Sequence, residues 1–270
     1  MLTFIPTPIG NPQDITLRAM RLFEEAELLL CEDTRETKRL MRLLEERYGM
    51  HSPEAEYLSF NEHNGPQRLA EVAPKLKNQK IVYVSDAGMP VISDPGQILV
   101  AYCQEQGLAY DVLPGASAVV TAYAASGFEE GSFLFYGFLP HKGSERSRAL
   151  NEALNTGYNT ILYESPHRLL KLLEEITAVD PDRMLFLAKE LTKKFQTYYK
   201  KPAEKLLGLL IEEHIRGEWV VIIQGEKSER EALYLEDILV LDLAPKPKAK
   251  LLARLTGESV KGWYEKLIEK

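Results

Sequence analysis

Only two cysteines, Cys31 and Cys103, occur in 270 residues, and they sit in unrelated contexts. Neither belongs to a C-x-x-C pair or adjoins a histidine cluster, which argues against a disulfide framework and a structural zinc site and suits a reducing cytoplasm. No clustered His, Cys, Asp or Glu pattern suggests a metal centre either, so none is expected. Long apolar runs are missing too; nothing here is long enough to span a bilayer, and no membrane partner is expected. The opening Met1-Leu2-Thr3-Phe4-Ile5-Pro6 has no basic lead and no extended apolar stretch, so no signal peptide is expected. Positive charge is in deficit: 33 Lys and Arg against 40 Asp and Glu give a net charge of −7. A nucleic-acid partner would therefore have to be met by a local basic patch. Two nucleotide fingerprints are absent. No G-x-G-x-x-G follows the first apolar run and no G-x-x-x-x-G-K-[ST] occurs anywhere, which weakens NAD and ATP readings. There are no internal repeats and no low-complexity tract.

What is present is a rhythm. Short apolar runs at 2–6, 28–31, 57–59, 81–85, 110–113, 133–136, 160–164, 184–188 and 219–224 alternate with helical patterns at 17–25, 37–48, 66–76, 97–106, 117–125, 144–154, 168–178 and 203–214. Such alternation predicts an α/β fold with largely parallel sheets. Pro114-Gly115-Ala116-Ser117 interrupts it, which places a domain boundary there: an N-terminal α/β domain over 1–115 and a second over 116–225. Residues 226–231 read as a polar linker. Three short helices at 234–241, 246–255 and 259–269 then form a small helical appendage, with Gly257 at a helix C-terminus and Ser259 as the next N-cap.

The most informative segment is Val84-Ser85-Asp86-Ala87-Gly88-Met89-Pro90-Val91-Ile92-Ser93-Asp94-Pro95-Gly96, between a strand and a helix. Its two Gly, two Pro, two Asp and two Ser predict a rigid, sharply turned loop with many backbone N–H groups. Loops at the carboxyl ends of strands are where open α/β sheets bind ligands. Other strand-end segments have similar character. Pro6-Thr7-Pro8-Ile9-Gly10-Asn11-Pro12 is a stiff turn or a ligand loop. In Cys31-Glu32-Asp33-Thr34-Arg35, Glu32 and Asp33 can act as base, cation ligand or hydroxyl acceptor, or only cap a helix and pair with Arg35. His63, in Ser59-Phe60-Asn61-Glu62-His63-Asn64, belongs to a polar site or to plain surface. Tyr163-Glu164-Ser165-Pro166-His167-Arg168 lines a cleft or caps a helix. Lys193 and Lys194, with Lys200, Lys201, Lys205 and the basic stretch 142–148, are interleaved with Phe138, Phe195, Tyr198 and Tyr199. That mixture can hold phosphates and stack unpaired bases, or can be a solvated face.

Taken in order, Pro6 to Asn11, Glu32 to Arg35, Ser85 to Gly96, Pro114 to Ser117, Gly137-Phe138-Leu139-Pro140, Tyr163 to Arg168 and Glu190-Leu191-Thr192-Lys193-Lys194-Phe195 resemble the ribosomal RNA small subunit methyltransferase I family of the tetrapyrrole methylase superfamily. The resemblance spans residues 2 to about 225, with Leu255-Thr256-Gly257-Glu258-Ser259 resembling the family's C-terminal helical domain more loosely. It implies two α/β domains with a ligand cleft between them, a homodimer, and 2′-O-methylation of a cytidine in the decoding region of 16S rRNA, free or in the 30S subunit. S-adenosylmethionine would be the methyl donor. On this resemblance the donor site comprises Pro8, Ala87, Gly88, Val91, Ile92, Ser117, Tyr163 and Leu191. Asp33 and Glu32 are the expected catalytic acids, and Arg35, His63, Lys193 and Lys194 the expected RNA contacts. Met89 stands where the family more usually has Thr, which implies a small change in pocket lining. A tetrapyrrole methyltransferase is the main rival. Such relatives typically begin with a Gly-rich first loop, from which Pro6 to Asn11 departs. A non-catalytic RNA-binding module is the other rival, and the intact donor-loop residues argue against it.

Overall fold

The computed structural model describes residues 1–226 except Asp94, Glu130 and Glu212, together with residues 235–268. The chain divides into two compact units, Met1–Glu226 and Lys227–Lys270. Among the described residues no helix is long and apolar enough to cross a membrane.

The first unit contains two five-stranded sheets. In the first, β1 (Leu2–Phe4), β2 (Leu28–Cys31), β3 (Glu56–Ser59), β4 (Ile81–Val84) and β5 (Tyr110–Val112) lie in the order β3-β2-β4-β1-β5, all parallel. Both β2 (Leu-Leu-Leu-Cys) and β4 (Ile-Val-Tyr-Val) are buried at every position, as continuous apolar strands covered on both faces must be. Helices Leu17–Glu24 and Thr34–Tyr48 cover one face, where Phe23, Met41 and Leu44 meet Leu29 and Val82. Helices Gly65–Val72 and Gln97–Glu105 cover the other, with Val72 and Leu99 against Leu30 and Tyr83. The chain leaves β1 across β4 to reach β2, and leaves β4 across β1 to reach β5. The direction of winding therefore reverses between these adjacent strands, the position at which such sheets bind ligands beyond their carboxyl ends.

The second sheet departs from the parallel expectation. Its strands β6 (Phe133–Phe138), β7 (Asn159–Glu164), β8 (Met184–Lys189), β9 (Thr197–Pro202) and β10 (Trp219–Ile223) lie in the order β6-β7-β10-β8-β9. Only β6 and β7 are parallel; the other three pairings are antiparallel. The short connection between β8 and β9 reverses the chain, and helix Ala203–Leu210 returns it so that β10 inserts antiparallel between β7 and β8. Strand β9, Thr-Tyr-Tyr-Lys-Lys-Pro, is a six-residue edge whose exposed lysines hid it inside a basic stretch. Charge on an edge strand is a common guard against further pairing.

Helices Gly143–Asn155, Pro166–Val179 and Ala203–Leu210 pack on one face of this sheet. On the other face, Ile161, Phe186, Ala188, Val220 and Ile222 meet Val119 and Ala122 of helix Ala118–Ser126. Ile9, from the loop after β1, is buried in that same cluster.

The second unit holds helices Leu235–Val240, Pro245–Thr256 and Val260–Ile268 around Ile238, Ala249, Leu252 and Trp263. Gly257 adopts φ 76° and ends the middle helix. Ser259 Oγ then accepts the Gly262 N–H at 3.0 Å, the cap that its position predicts. Apart from Glu226, the expected linker 226–231 lies outside the described residues, as does the expected start of the first tail helix at 234.

Candidate active site

Three loops meet where the two sheets adjoin. Thr7 and Gly88 exchange two backbone hydrogen bonds of 3.0 Å, tying the loop after β1 to the loop after β4. Gly88 sits at φ 85°, where a Cβ would be strained and would also meet Ile9 Cγ2 at 3.1 Å. Further along the first loop, Asn11 N donates to Thr192 Oγ1 at 2.9 Å. Among the described residues, the non-glycine residues with left-handed backbone are Val91 (φ 77°), Ser93 (φ 61°), Glu190 (φ 51°) and Thr192 (φ 62°). All four lie in the loops after β4 and β8. Such conformations cost about 1–3 kcal/mol each and persist where surrounding structure enforces them, often at functional sites.

The loops enclose a cleft of two adjoining compartments, about 370 and 190 Å³. Ile9, Ala87, Ala118, Phe138 and Tyr163 wall both. The larger compartment adds Ala188, Leu191, Ser165, Glu218, Trp219 and Val220; the smaller adds Gly88, Met89, Ile92, Ser93 and Ser117. Phe138 and Tyr163 meet edge to face with ring centroids 5.5 Å apart. The larger volume lies in the range of small-molecule sites, and the lining of apolar walls with few polar groups is typical of them.

Six of the eight expected donor residues line this cleft: Ala87, Gly88, Ile92, Ser117, Tyr163 and Leu191. Val91 does not; it packs toward the core of the first sheet. Pro8 is half-buried between Thr7 and Ile9 and lines neither compartment. The sequence reading missed Ile9, although an apolar side chain in a Pro- and Gly-rich loop needs cover. It also missed 217–220. Because β10 is antiparallel, Trp219 pairs with Glu164 and Lys189 at the carboxyl ends of β7 and β8. A parallel β10 would have placed these residues at the opposite end of the sheet.

The acids at the ends of β2 and β4 have unequal surroundings. Asp33 caps helix Thr34–Tyr48, accepting the Arg35 N–H at 2.8 Å, and its carboxylate also takes Arg35 Nε at 3.0 and 3.2 Å. Hydrogen bonds from Arg35 hold the Asp33 pKa down at about 2. Asp86, one residue before the cleft-lining Ala87, accepts the Asp33 N–H through Oδ1 at 3.1 Å, while its own N–H donates to Glu32 at 3.1 Å. Loss of water and then the nearby Glu32 charge push Asp86 up to about 6. A carboxylate near 2 is a weak proton acceptor at neutral pH, whereas one near 6 is well matched to the task. Asp33 is thus engaged by Arg35, and of these two acids Asp86 is the one whose proton affinity is raised. The buried Cys31 thiol is pushed up to about 11 by loss of water.

The expected RNA contacts also separate. Lys193 Nζ is engaged by Glu190 at 3.0 Å and Glu218 at 2.9 Å, so its charge is offset locally. Lys194 is exposed, with Nζ 5.5 Å from the centre of the Phe195 ring. Arg35 is exposed but paired with Asp33. His63 is exposed beyond β3, at the far edge of the first sheet, and lines neither compartment. Within the basic stretch 142–148, Arg146 points inward and is 2% exposed. Lys200 Nζ donates to Ser126 O and Gly127 O at 2.9 and 3.0 Å.

Comparison with known proteins agrees with this geometry. Residues 1–207 match the family model of tetrapyrrole (corrin/porphyrin) methylases. Proteins named ribosomal RNA small subunit methyltransferase I are 44% identical in Campylobacter fetus, covering 99% of this chain and 100% of that one, and 43% identical in Helicobacter pylori strain J99, covering 100% and 98%. Among solved structures, diphthine synthase superposes with a TM-score of 0.63 at 13% identity, over 83% of this chain and 89% of that one. A Thermus thermophilus uroporphyrin-III C-methyltransferase complexed with S-adenosyl homocysteine gives 0.55 at 13% identity, over 82% and 96%; both likenesses concern the fold alone. By the family model and by full-length identity, this chain belongs to the ribosomal RNA small subunit methyltransferase I family of the tetrapyrrole methylases.

Proposed function

We propose that the protein transfers the methyl group of S-adenosylmethionine to the 2′-hydroxyl of a cytidine in 16S rRNA, free or within the 30S subunit, and that it works in the cytoplasm as a homodimer. The observation that carries the reading is the cleft: loops from both sheets close on one apolar chamber, and Asp86 immediately precedes its wall residue Ala87. The chamber suits the donor. Its larger compartment has the volume of a small-molecule site, Phe138 and Tyr163 offer flat walls, and Gly88 keeps the space beside Ile9 open. The donor supplies an activated methyl group with its own leaving group.

The residues of this chain contribute position and proton removal. Holding donor and ribose in line can supply about 7–11 kcal/mol of the barrier. The hydroxyl is a poor nucleophile while it keeps its proton. Asp86 accepts that proton through Oδ2, since Oδ1 already takes the Asp33 N–H. As the O–H bond breaks, the new O–C bond forms and the C–S bond gives its electron pair to sulfur. Glu32 holds the Asp86 backbone and raises the carboxylate's proton affinity. The target nucleotide has to be unpaired or splayed out for its ribose to reach a cleft.

The test is methyl transfer from labelled donor to 30S subunits, naked 16S rRNA and a tetrapyrrole, with the product identified after nuclease digestion. The expected product is 2′-O-methylcytidine; label on the tetrapyrrole alone would overturn the assignment. Gly88→Val should remove donor binding measured by calorimetry with little change in far-UV circular dichroism, and unaltered affinity would take this loop out of the site.

A further inference from the structure

The turn after Leu191 and the edge strand that follows form a surface that the transfer chemistry leaves unused. Phe195 is 70% exposed on this turn, a high value for a large apolar ring. The turn is held firmly. Thr192 N donates to Gln196 Oε1 at 2.6 Å, Gln196 N donates to Lys193 O at 3.1 Å, and Lys193 is fixed between Glu190 and Glu218. Lys194 places its ammonium over the Phe195 ring, and among the described residues it has no carboxylate at ion-pair distance. Tyr198, 43% exposed, rests on Phe186 with ring centroids 5.5 Å apart. In register it lies opposite Ala188, a wall residue of the larger compartment. Strand β9 therefore carries the cleft's face of the sheet outward to solvent through Tyr198, with Lys200 next on that face and Lys201 on the other.

We propose that Phe195, flanked by Lys194 and Tyr198, is a stacking platform for an unpaired base of the RNA substrate, beside the nucleotide whose ribose enters the cleft. This rests on the reading of the substrate as RNA. A rigid exposed aromatic with an adjoining unpaired cation matches what single-stranded nucleic acid offers, a π face and a phosphate. An apolar protein partner would not need the cation. With a net charge of −7, local features of this kind have to supply the attraction.

The test uses the full chain and a fluorescein-labelled oligocytidine RNA, free and annealed to its complement. Phe195→Ala should weaken binding of the single strand about 5- to 150-fold, the range for loss of one stacked base. Phe195→Trp should restore it, and the duplex should be indifferent to both. Lys194→Ala should instead reduce the slope of log affinity against log salt by about 0.7, one phosphate contact on a single strand. Wild-type methylation of 30S subunits or 16S rRNA, run in parallel, separates the two readings: its failure removes the RNA assignment, whereas normal wild-type activity with undiminished Phe195→Ala binding removes only the platform. Equal losses for single strand and duplex would also overturn it. So would a change of oligomeric state on sedimentation with RNA binding intact, which would assign Phe195 to contact between copies of the chain.

Discussion

Asp33 and Asp86 stand one hydrogen bond apart, yet their neighbours push them in opposite directions. Arg35 stabilises the ionised form of Asp33 and holds it at about 2. Asp86 loses water and faces Glu32, which raises it to about 6. If Asp86 takes the hydroxyl proton, the single-turnover rate should climb with pH through about 6 and level off above it. Asp86→Asn should cut that rate by ~10²–10⁴-fold with both ligands still bound. Stability gives an independent readout. A raised carboxyl favours the protonated folded state, so its stabilising contribution is present below the ordinary aspartate value of 3.8 and is lost as pH rises through about 6. Above that, ionised Asp86 is unfavourable to the fold, and Asp86→Asn should melt no lower than wild type at pH about 8. Asp33 has the reverse sign: its contribution is present above 3.8 and disappears as pH falls through about 2. Asn is itself a good N-cap but loses the charged contact with Arg35, so Asp33→Asn should leave the rate close to wild type and lower the melting temperature slightly at neutral pH. A near-normal rate for Asp86→Asn, or a collapsed one for Asp33→Asn, would return the base role to Asp33.

At the scale of elements, the buried charges around helix Gly143–Asn155 explain how one wall of the cleft is held. Arg146 Nε meets Glu175 at 2.8 Å, its Nη1 donates to Pro140 O at 3.2 Å, and Glu164 lies 3.7 Å away. Arg168 donates to Leu139 O at 2.7 Å. Both guanidinium groups thus grip the backbone just after Phe138, the ring shared by both compartments. Arg146→Ala should destabilise the protein by about 3–5 kcal/mol in urea titrations, because Glu164 would keep its charge in a buried setting with less compensation. An exposed Arg146 would give almost nothing. Sequence patterning could not place Arg146 inside, since a lysine- and arginine-rich stretch reads as a surface. It did locate nine of the ten strands, because buried strands advertise themselves as apolar runs. Strand β9 escaped for the opposite reason, its edge position permitting Lys and exposed Tyr. The antiparallel course of β10 was equally illegible, as direction is set by connections and not by the strand's own residues. The loops after β1, β4 and β7 were legible as candidate site material through their Pro, Gly or short polar residues, and the loop after β8 through its lysines beside Phe195. Which acid among them acts as base depends on neighbours distant in sequence.

In the first unit as a whole, the loop after β1 reaches the second sheet. Ile9 is buried among Ile161, Ala188 and Val220, and Gly10 passes so close to the turn after β8 that a Cβ would meet Lys193 Cγ at 2.5 Å and Leu191 O at 2.7 Å. Lys193 could yield only by leaving its two carboxylates, and the backbone oxygen cannot yield without moving Leu191, a wall of the larger compartment. Gly10 has no left-handed φ, so alanine meets no conformational penalty there and the substitution tests the close approach alone. Gly10→Ala should push the loop away from Leu191 and misalign the donor against the acceptor. A displacement well under 1 Å can lower the transfer rate on the order of 10- to 100-fold. The control is Gly208→Ala, in helix Ala203–Leu210, where an added Cβ meets nothing within 4 Å. It should stabilise the helix by about 0.5–1 kcal/mol and leave transfer unchanged. Measuring both variants by single-turnover transfer and by melting separates the effects: a normal rate in Gly10→Ala would mean that the two sheets do not have to be held in tight register for catalysis.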